Sequence, residues 1–174
     1  MGPSILEIDL AALAHNYHYL RSKISSETML LGVVKANGYG SEAISIAKKL
    51  DALGVDYLGV AYTHEGVLLR EQGIKTPILV LHPQPEEFKH IIEHCLEPSL
   101  YSNRTLQMFM EATEKEYQYP IHLNINTGLN RLGFSVHGIE AICQNLLNSS
   151  RVKVKGIMSH LAATDDLSEK AYTD

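Results

Sequence analysis

The sequence predicts a parallel α/β fold, either an open doubly wound sheet or a closed (β/α)8 barrel. Two observations lead there. Short runs rich in Val, Ile and Leu recur along the chain and are apolar at nearly every position, as suits strands covered on both faces. The stretches between them keep the three-and-four residue spacing of helices, so strand and helix alternate.

The predicted strands are 29–36, 57–61, 77–81, 98–101, 121–126 and 152–159. Before the first of them, Leu10, Leu13, Ala14, Tyr17 and Leu20 line one helix face, with Asp9 placed as N-cap. Ile44, Ala47 and Leu50 form the next helix, which closes at Gly54. Thr63 caps a helix running through Leu68 and Leu69 to Gly73, and Ser102 or Asn103 caps the one carrying Leu106, Phe109 and Met110. Pro83 and Pro85 around Gln84 punctuate the loop after the third strand. Six strands fall short of a closed barrel, which takes eight strands and about 250 residues. The 174 residues, ending after Tyr172-Thr173 without a Gly or Pro terminator, are therefore expected to be an incomplete chain.

Composition narrows the classes. With 45% hydrophobic and 20% charged residues the chain is an ordinary globular one, and disorder, collagen and a disulfide framework are excluded. At one domain per roughly 150 residues it holds a single domain. The net charge of −5 is spread along the chain with no basic stripe, so nucleic acid is not an expected partner. Cys95 and Cys143 make no metal-ligand spacing and are expected to be buried small hydrophobes of a reducing cytosol. There is no basic leader with an apolar core and no run of eighteen apolar residues, so the expected location is cytoplasmic, with no membrane partner.

Three strand ends carry the chemistry. The first is Gly32-Val33-Val34-Lys35-Ala36-Asn37-Gly38-Tyr39-Gly40, where an apolar strand ends in a lysine. A lysine whose stem lies among Val and Leu is costly to keep charged, and the neutral amine can form a Schiff base. In parallel α/β folds ligands bind at the carboxyl ends of strands, which is where Lys35 falls. A snorkelling lysine beside an ordinary Gly turn is the plain alternative. The stretch is no phosphate loop, since Gly38-Tyr39-Gly40 lacks both the third glycine of GxGxxG and the GKS or GKT of a Walker loop.

The second is 124–134, where three amides, a hydroxyl and Arg131 share one loop. Arginine, always charged and fork-shaped, is suited to a carboxylate or phenolate oxygen. The third is Met158-Ser159-His160-Leu161-Ala162. His160 can stack on a planar cofactor or shuttle a proton. No hydrolase elbow GxSxG is present. His90 and His94 have a metal-compatible i, i+4 spacing but no expected carboxylate partner, so no metal is expected.

Together these segments resemble bacterial alanine racemases. Val34-Lys35-Ala36-Asn37-Gly38-Tyr39-Gly40 is similar to that family's V-K-A-N-A-Y-G-H-G motif, and Glu7-Ile8-Asp9-Leu10 with His15-Asn16 resembles its start. The segment 126–134 resembles D-T-G-M-x-R-L-G-F, and Ser159-His160-Leu161-Ala162 resembles S-H-F-A, in the same order and spacing. The resemblance implies a truncated N-terminal TIM-type barrel domain over residues 1–174, about six βα units of eight, without the C-terminal β domain. It implies a pyridoxal 5'-phosphate enzyme, an isomerase interconverting L- and D-alanine for peptidoglycan and working as a homodimer. Lys35 would carry the cofactor as a Schiff base and act as the base on the D-alanine side. Tyr39 would contact the phosphate, Arg131 the phenolic oxygen or substrate carboxylate, His160 would lie against the pyridine ring, and Ser159 would also bind the cofactor.

Departures from the pattern are few. Asn124 stands where many members have a carbamylated lysine, and some members with Asn there use a chloride ion. Asn126 replaces the common Asp and Gly38 the common Ala. The second base, a tyrosine from the partner subunit, and the arginine facing the pyridine nitrogen would lie downstream, so this chain alone is expected not to racemise. The rival readings are a non-catalytic pyridoxal-phosphate barrel protein, and an aldolase-type enzyme using Lys35 on a carbonyl without cofactor.

Overall fold

The computed structural model describes residues 4–166, 168 and 169; Met1 to Pro3, Leu167 and Lys170 to Asp174 lie outside the described residues, and with them the Tyr172-Thr173 end considered above. The chain divides into two compact units, Met1–Leu81 with Glu93–Leu96, and His82–Ile92 with Glu97–Asp174. Both are built from parallel strands alternating with helices, the class expected from the sequence.

In the first unit α1 (Leu10–Arg21) is capped as expected, Asp9 Oδ1 accepting the Ala11 and Ala12 amides at 2.8 and 2.9 Å. Then follow β1 (Leu31–Val33), a short turn α2 (Lys35–Tyr39), α3 (Ala43–Ala52), β2 (Tyr57–Val60), α4 (Thr63–Glu71) and β3 (Ile78–Val80). β1, β2 and β3 pair in parallel, Leu31 opposite Tyr57 and Leu58 opposite Ile78. β2 and β3 are buried at every position, which is why their sequences are continuously apolar instead of alternating. Arg70 fastens the end of α4, donating to the carbonyls of Ile74 and Thr76 at 2.8 Å each and of His94 and Cys95 at 3.2 Å each.

The second unit contains α5 (Phe88–Glu93), β4 (Glu97–Leu100), α6 (Asn103–Ala112), β5 (Tyr119–Asn126), a two-residue β6 (Phe134–Ser135), α7 (Ile139–Leu147) and β7 (Val152–Met158). β5 lies between β4 and β7, parallel to both, and β6 extends the pairing at its carboxyl end. On the helix-facing side Phe109 packs edge-on against Phe88 and Tyr119, with ring centroids 5.0 and 5.5 Å away, and the Tyr119 hydroxyl donates to the Ile91 carbonyl at 3.0 Å.

Five expectations need correction, among them the carboxylate expected to be missing beside His90 and His94, since Glu93 offers a ligand atom within 4.8 Å of theirs. The first strand is shorter than 29–36, because the backbone leaves the ladder after the Val34 amide and turns left-handed from Ala36. Residues 134–135 form a strand too brief to show a pattern. The N-cap of α4 is Tyr62, and its amide is held by Glu65 at 3.1 Å while Thr63 is already in the first turn. Cys95 and Cys143 are exposed, not buried; Cys95 closes the turn after α5 with φ 50°. No helix among the described residues is long and apolar enough to cross a membrane.

Candidate functional site

In the first unit the chemistry begins where β1 ends. Val34 is buried and its amide donates to the Gly59 carbonyl at 2.8 Å, fixing the half-buried Lys35 as the first residue past the sheet. The next four residues, Ala36, Asn37, Gly38 and Tyr39, all have positive φ, between 51° and 64°. A left-handed turn of this kind costs each non-glycine residue on the order of 1 kcal/mol and persists only where its surroundings impose it. Glu65 imposes it: its two carboxylate oxygens accept the amides of Ala36 and Ala61, each at 2.7 Å. From the other end, Asn37 Oδ1 accepts the Ala43 amide at 3.0 Å and ties the turn to α3. A Cβ at Gly38 would come within 3.3 Å of the Ala43 backbone, so this packing favours glycine over the alanine common in the motif. The turn returns the Tyr39 ring toward the lysine, with Nζ of Lys35 5.9 Å from the ring centroid and Tyr39 itself exposed.

In the second unit the polar residues gather at the carboxyl end of β5 and just past β7. Asn124 is buried, opposite Met158 in register, and among the described residues its Oδ1 accepts no hydrogen bond. Asn126 shapes the following loop, its Oδ1 accepting the amides of Gly128 and Asn130 at 3.2 and 3.0 Å while its Nδ2 donates to Asn130 Oδ1 at 2.8 Å. The last of these bonds needs an amide, so an aspartate here could not make it. The loop closes on Gly133, φ 130°, where a Cβ would fall 2.5 Å from the Asn126 nitrogen. Arg131 is exposed on this loop. Ser159 and Thr127 share a hydroxyl hydrogen bond of 2.5 Å, which joins the ends of β7 and β5 and leaves the exposed His160 next in the chain.

Of the six residues singled out in the sequence, Lys35 follows the end of β1 and Tyr39 ends the turn after it in the first unit, while in the second Asn124 lies near the end of β5, Arg131 in the loop between β5 and β6, and Ser159 and His160 directly after β7. Sequence reasoning missed Glu65, whose signal was an acid in the first turn of a helix. It also missed Glu97, His122 and Lys155, whose signal was ionisable side chains inside apolar strands. His122 Nε2 and Lys155 Nζ both lie 2.7 Å from the Glu97 carboxylate, one on each oxygen.

Residues 8–174 match a family described as alanine racemase, N-terminal domain. The chain belongs to the alanine racemase family. An alanine racemase of Geobacter sulfurreducens is 35% identical over 176 residues, covering 99% of this chain and 46% of the relative. One from Thermodesulfovibrio yellowstonii is 33% identical over 165 residues, 92% of this chain and 45% of the relative. Among solved structures, alanine racemase from Clostridium difficile 630 in complex with cycloserine superposes with a TM-score of 0.86 at 31% identity, covering 94% of this chain and 46% of that one. The Bacillus anthracis alanine racemase with bound L-Ala-P gives a TM-score of 0.84 at 26% identity, 96% of this chain and 44% of that one. The chain therefore spans about half the length of the alanine racemases it matches, and its fold is that of their N-terminal barrel portion.

Proposed function

We propose that this chain is the lysine-bearing barrel part of a racemase that interconverts L- and D-alanine with pyridoxal 5'-phosphate. The observation that carries the reading is Lys35 at the end of β1, followed at once by a strained left-handed turn that Glu65 holds in place. Strain maintained at such cost beside a nucleophile is characteristic of functional positions. By residue chemistry each would suit one part of the cofactor: a primary amine for its aldehyde in Lys35, a phenol for its phosphate in Tyr39, and a guanidinium for its phenolate oxygen or the substrate carboxylate in Arg131. When bound, the cofactor supplies an electron sink that makes the α-proton of an amino acid removable.

This chain's own residues supply binding and proton transfer. Once freed by the substrate's amino group, the Lys35 amine would take the proton from Cα on the D-alanine side in one direction of the reaction and deliver one to that side in the other. His160, following Ser159 past β7, would hold the planar ring with its imidazole. Asn124 stands where the resembled pattern often has a lysine and supplies a neutral amide in its place, its buried Oδ1 open to a donor. Racemisation also requires a proton at the opposite face of Cα, to which we assign no residue of this chain; the chain by itself is expected not to racemise alanine. The full protein would act as a homodimer in the cytoplasm and provide D-alanine for peptidoglycan. Cycloserine and L-Ala-P in the neighbouring structures named above support an alanine-type ligand.

The test is to incubate the chain with pyridoxal phosphate, reduce with borohydride and locate the adduct by peptide mass spectrometry. A modification concentrated on Lys35 and lost in Lys35→Ala is expected; label spread evenly over the surface lysines would overturn the assignment.

A further inference from the structure

Glu97, His122 and Lys155 sit on neighbouring strands β4, β5 and β7 of one parallel sheet. Ser99 pairs with His122, so Glu97, two residues earlier, shares the face that carries His122 and Asn124. The Glu97 and His122 side chains are nearly enclosed, 9% and 12% exposed, and Lys155 reaches in from a partly exposed position to complete the pair of 2.7 Å contacts. Burying a carboxylate costs several kcal/mol unless it is paired, so the network needs a structural or functional return.

The pairing of β5 with β7 supplies one. Ile121 is opposite Val154, but the next residue, His122, is opposite Gly156; Lys155 is the extra residue of a β-bulge. A bulge reverses the alternation of every residue beyond it. Without it Ile157 and Ser159 would share the Asn124 face. With it, Gly156 and Met158 take that face, as the Ser99 hydroxyl bond to Met158 Sδ at 3.2 Å demonstrates, and the same alternation continued two residues past the end of β7 would bring His160 to it as well. The bulge also requires a glycine, since a Cβ at Gly156 would meet His122 Nδ1 at 2.7 Å.

The geometry points to Glu97, His122 and Lys155 as positioning residues: by clamping the extra residue of β7 against β4, they hold the bulge that aims His160 to the side of the sheet on which Asn124 lies. The link from His160 to catalysis rests on the function proposed above, but the positioning itself does not. It is tested on the cofactor-free chain by NMR. Lys155→Met is expected to shift the His160 imidazole and Ser159 amide resonances and to speed amide exchange at 156–158 by about tenfold, with the urea midpoint little changed. Glu97→Gln should do the same, Lys155→Arg should restore the parent spectrum, and Lys153→Met on the same strand should leave it alone. His160 and Ser159 resonances unchanged in folded Lys155→Met would overturn the proposal, as would equal shifts in Lys153→Met. Should Glu97→Gln fail to fold, Lys155→Met, altering a partly exposed side chain, decides alone. Because no cofactor is present, failure of the Lys35 adduct leaves this result standing.

Discussion

The Glu65 carboxylate accepts the Ala36 amide at 2.7 Å, one residue past Lys35, and so couples the start of α4 to the turn that follows the lysine. Its second oxygen receives the amides of Ala61 and Tyr62. Three charge-assisted hydrogen bonds converge on one side chain, and removing their acceptor leaves amides without partners. Glu65→Ala is expected to lower stability by about 2 kcal/mol in urea unfolding and to reduce the yield of the Lys35 adduct, whereas Glu65→Gln, which keeps one acceptor oxygen, should cost less.

Gly133 offers a sharper steric case. Its φ of 130° is open only to glycine, and the nearest atoms to an added Cβ are backbone, the Asn126 nitrogen at 2.5 Å and the Ile125 carbonyl carbon at 2.8 Å. Backbone cannot swing aside as a side-chain tip can. Gly133→Ala should cost at least about 3 kcal/mol and release β6 from β5, seen as faster amide exchange at Phe134 and Ser135.

In the helix-facing core of the second unit, Phe109 is fully buried against Phe88 and Tyr119. Phe109→Ala leaves a cavity that two edge-on rings cannot fill, and a loss of about 3–5 kcal/mol in urea unfolding is expected. Phe109→Leu, which fills more of the space, should lose less.

Asp51 gives a pH dependence with a definite sign. The Thr76 hydroxyl, donating to Asp51 Oδ1 at 2.5 Å, holds its carboxyl below the ordinary value of 3.8; the Thr76 and Lys75 amides and the Arg70 charge act in the same sense, and burial opposes them. A carboxyl more acidic in the folded than in the unfolded chain stabilises the fold above the ordinary value, and this is lost as the pH falls through the depressed one. The urea midpoint of the parent should therefore drop more steeply than that of Asp51→Asn as pH is lowered from about 5 to about 2.

Much of this architecture was legible from pattern alone. Asp9 and Gly54 announced their helix ends, and Ser102 was one of two caps open to α6, because a cap is a local matter of one side chain or one positive φ. The buried strands β2 and β3 were legible because covering both faces leaves nothing polar in the run. The candidate site was legible where a residue type is costly in its setting, as with Lys35 at the end of an apolar strand. What stayed hidden depends on partners distant in sequence. Glu65 is an ordinary helix-start acid until β1 places the Ala36 amide beside it, and Glu97 and Lys155 meet across 58 residues only because β5 brings their strands together. The exposure of Cys95 and Cys143 was missed for a similar reason, since an apolar neighbourhood in sequence does not say which way a thiol points.

The left-handed turn from Ala36 to Tyr39 has a consequence for how this chain can change. Selection for heat tolerance alone would reach it readily, because Ala36→Gly removes a backbone penalty and, after the entropy glycine loses on folding, nets up to about 1 kcal/mol. A looser peptide immediately after Lys35 would survive such a screen while holding the amine less firmly. On the function proposed above, thermostability and the reactivity of Lys35 would compete over a single methyl group, and variants recovered for one should be scored for the other.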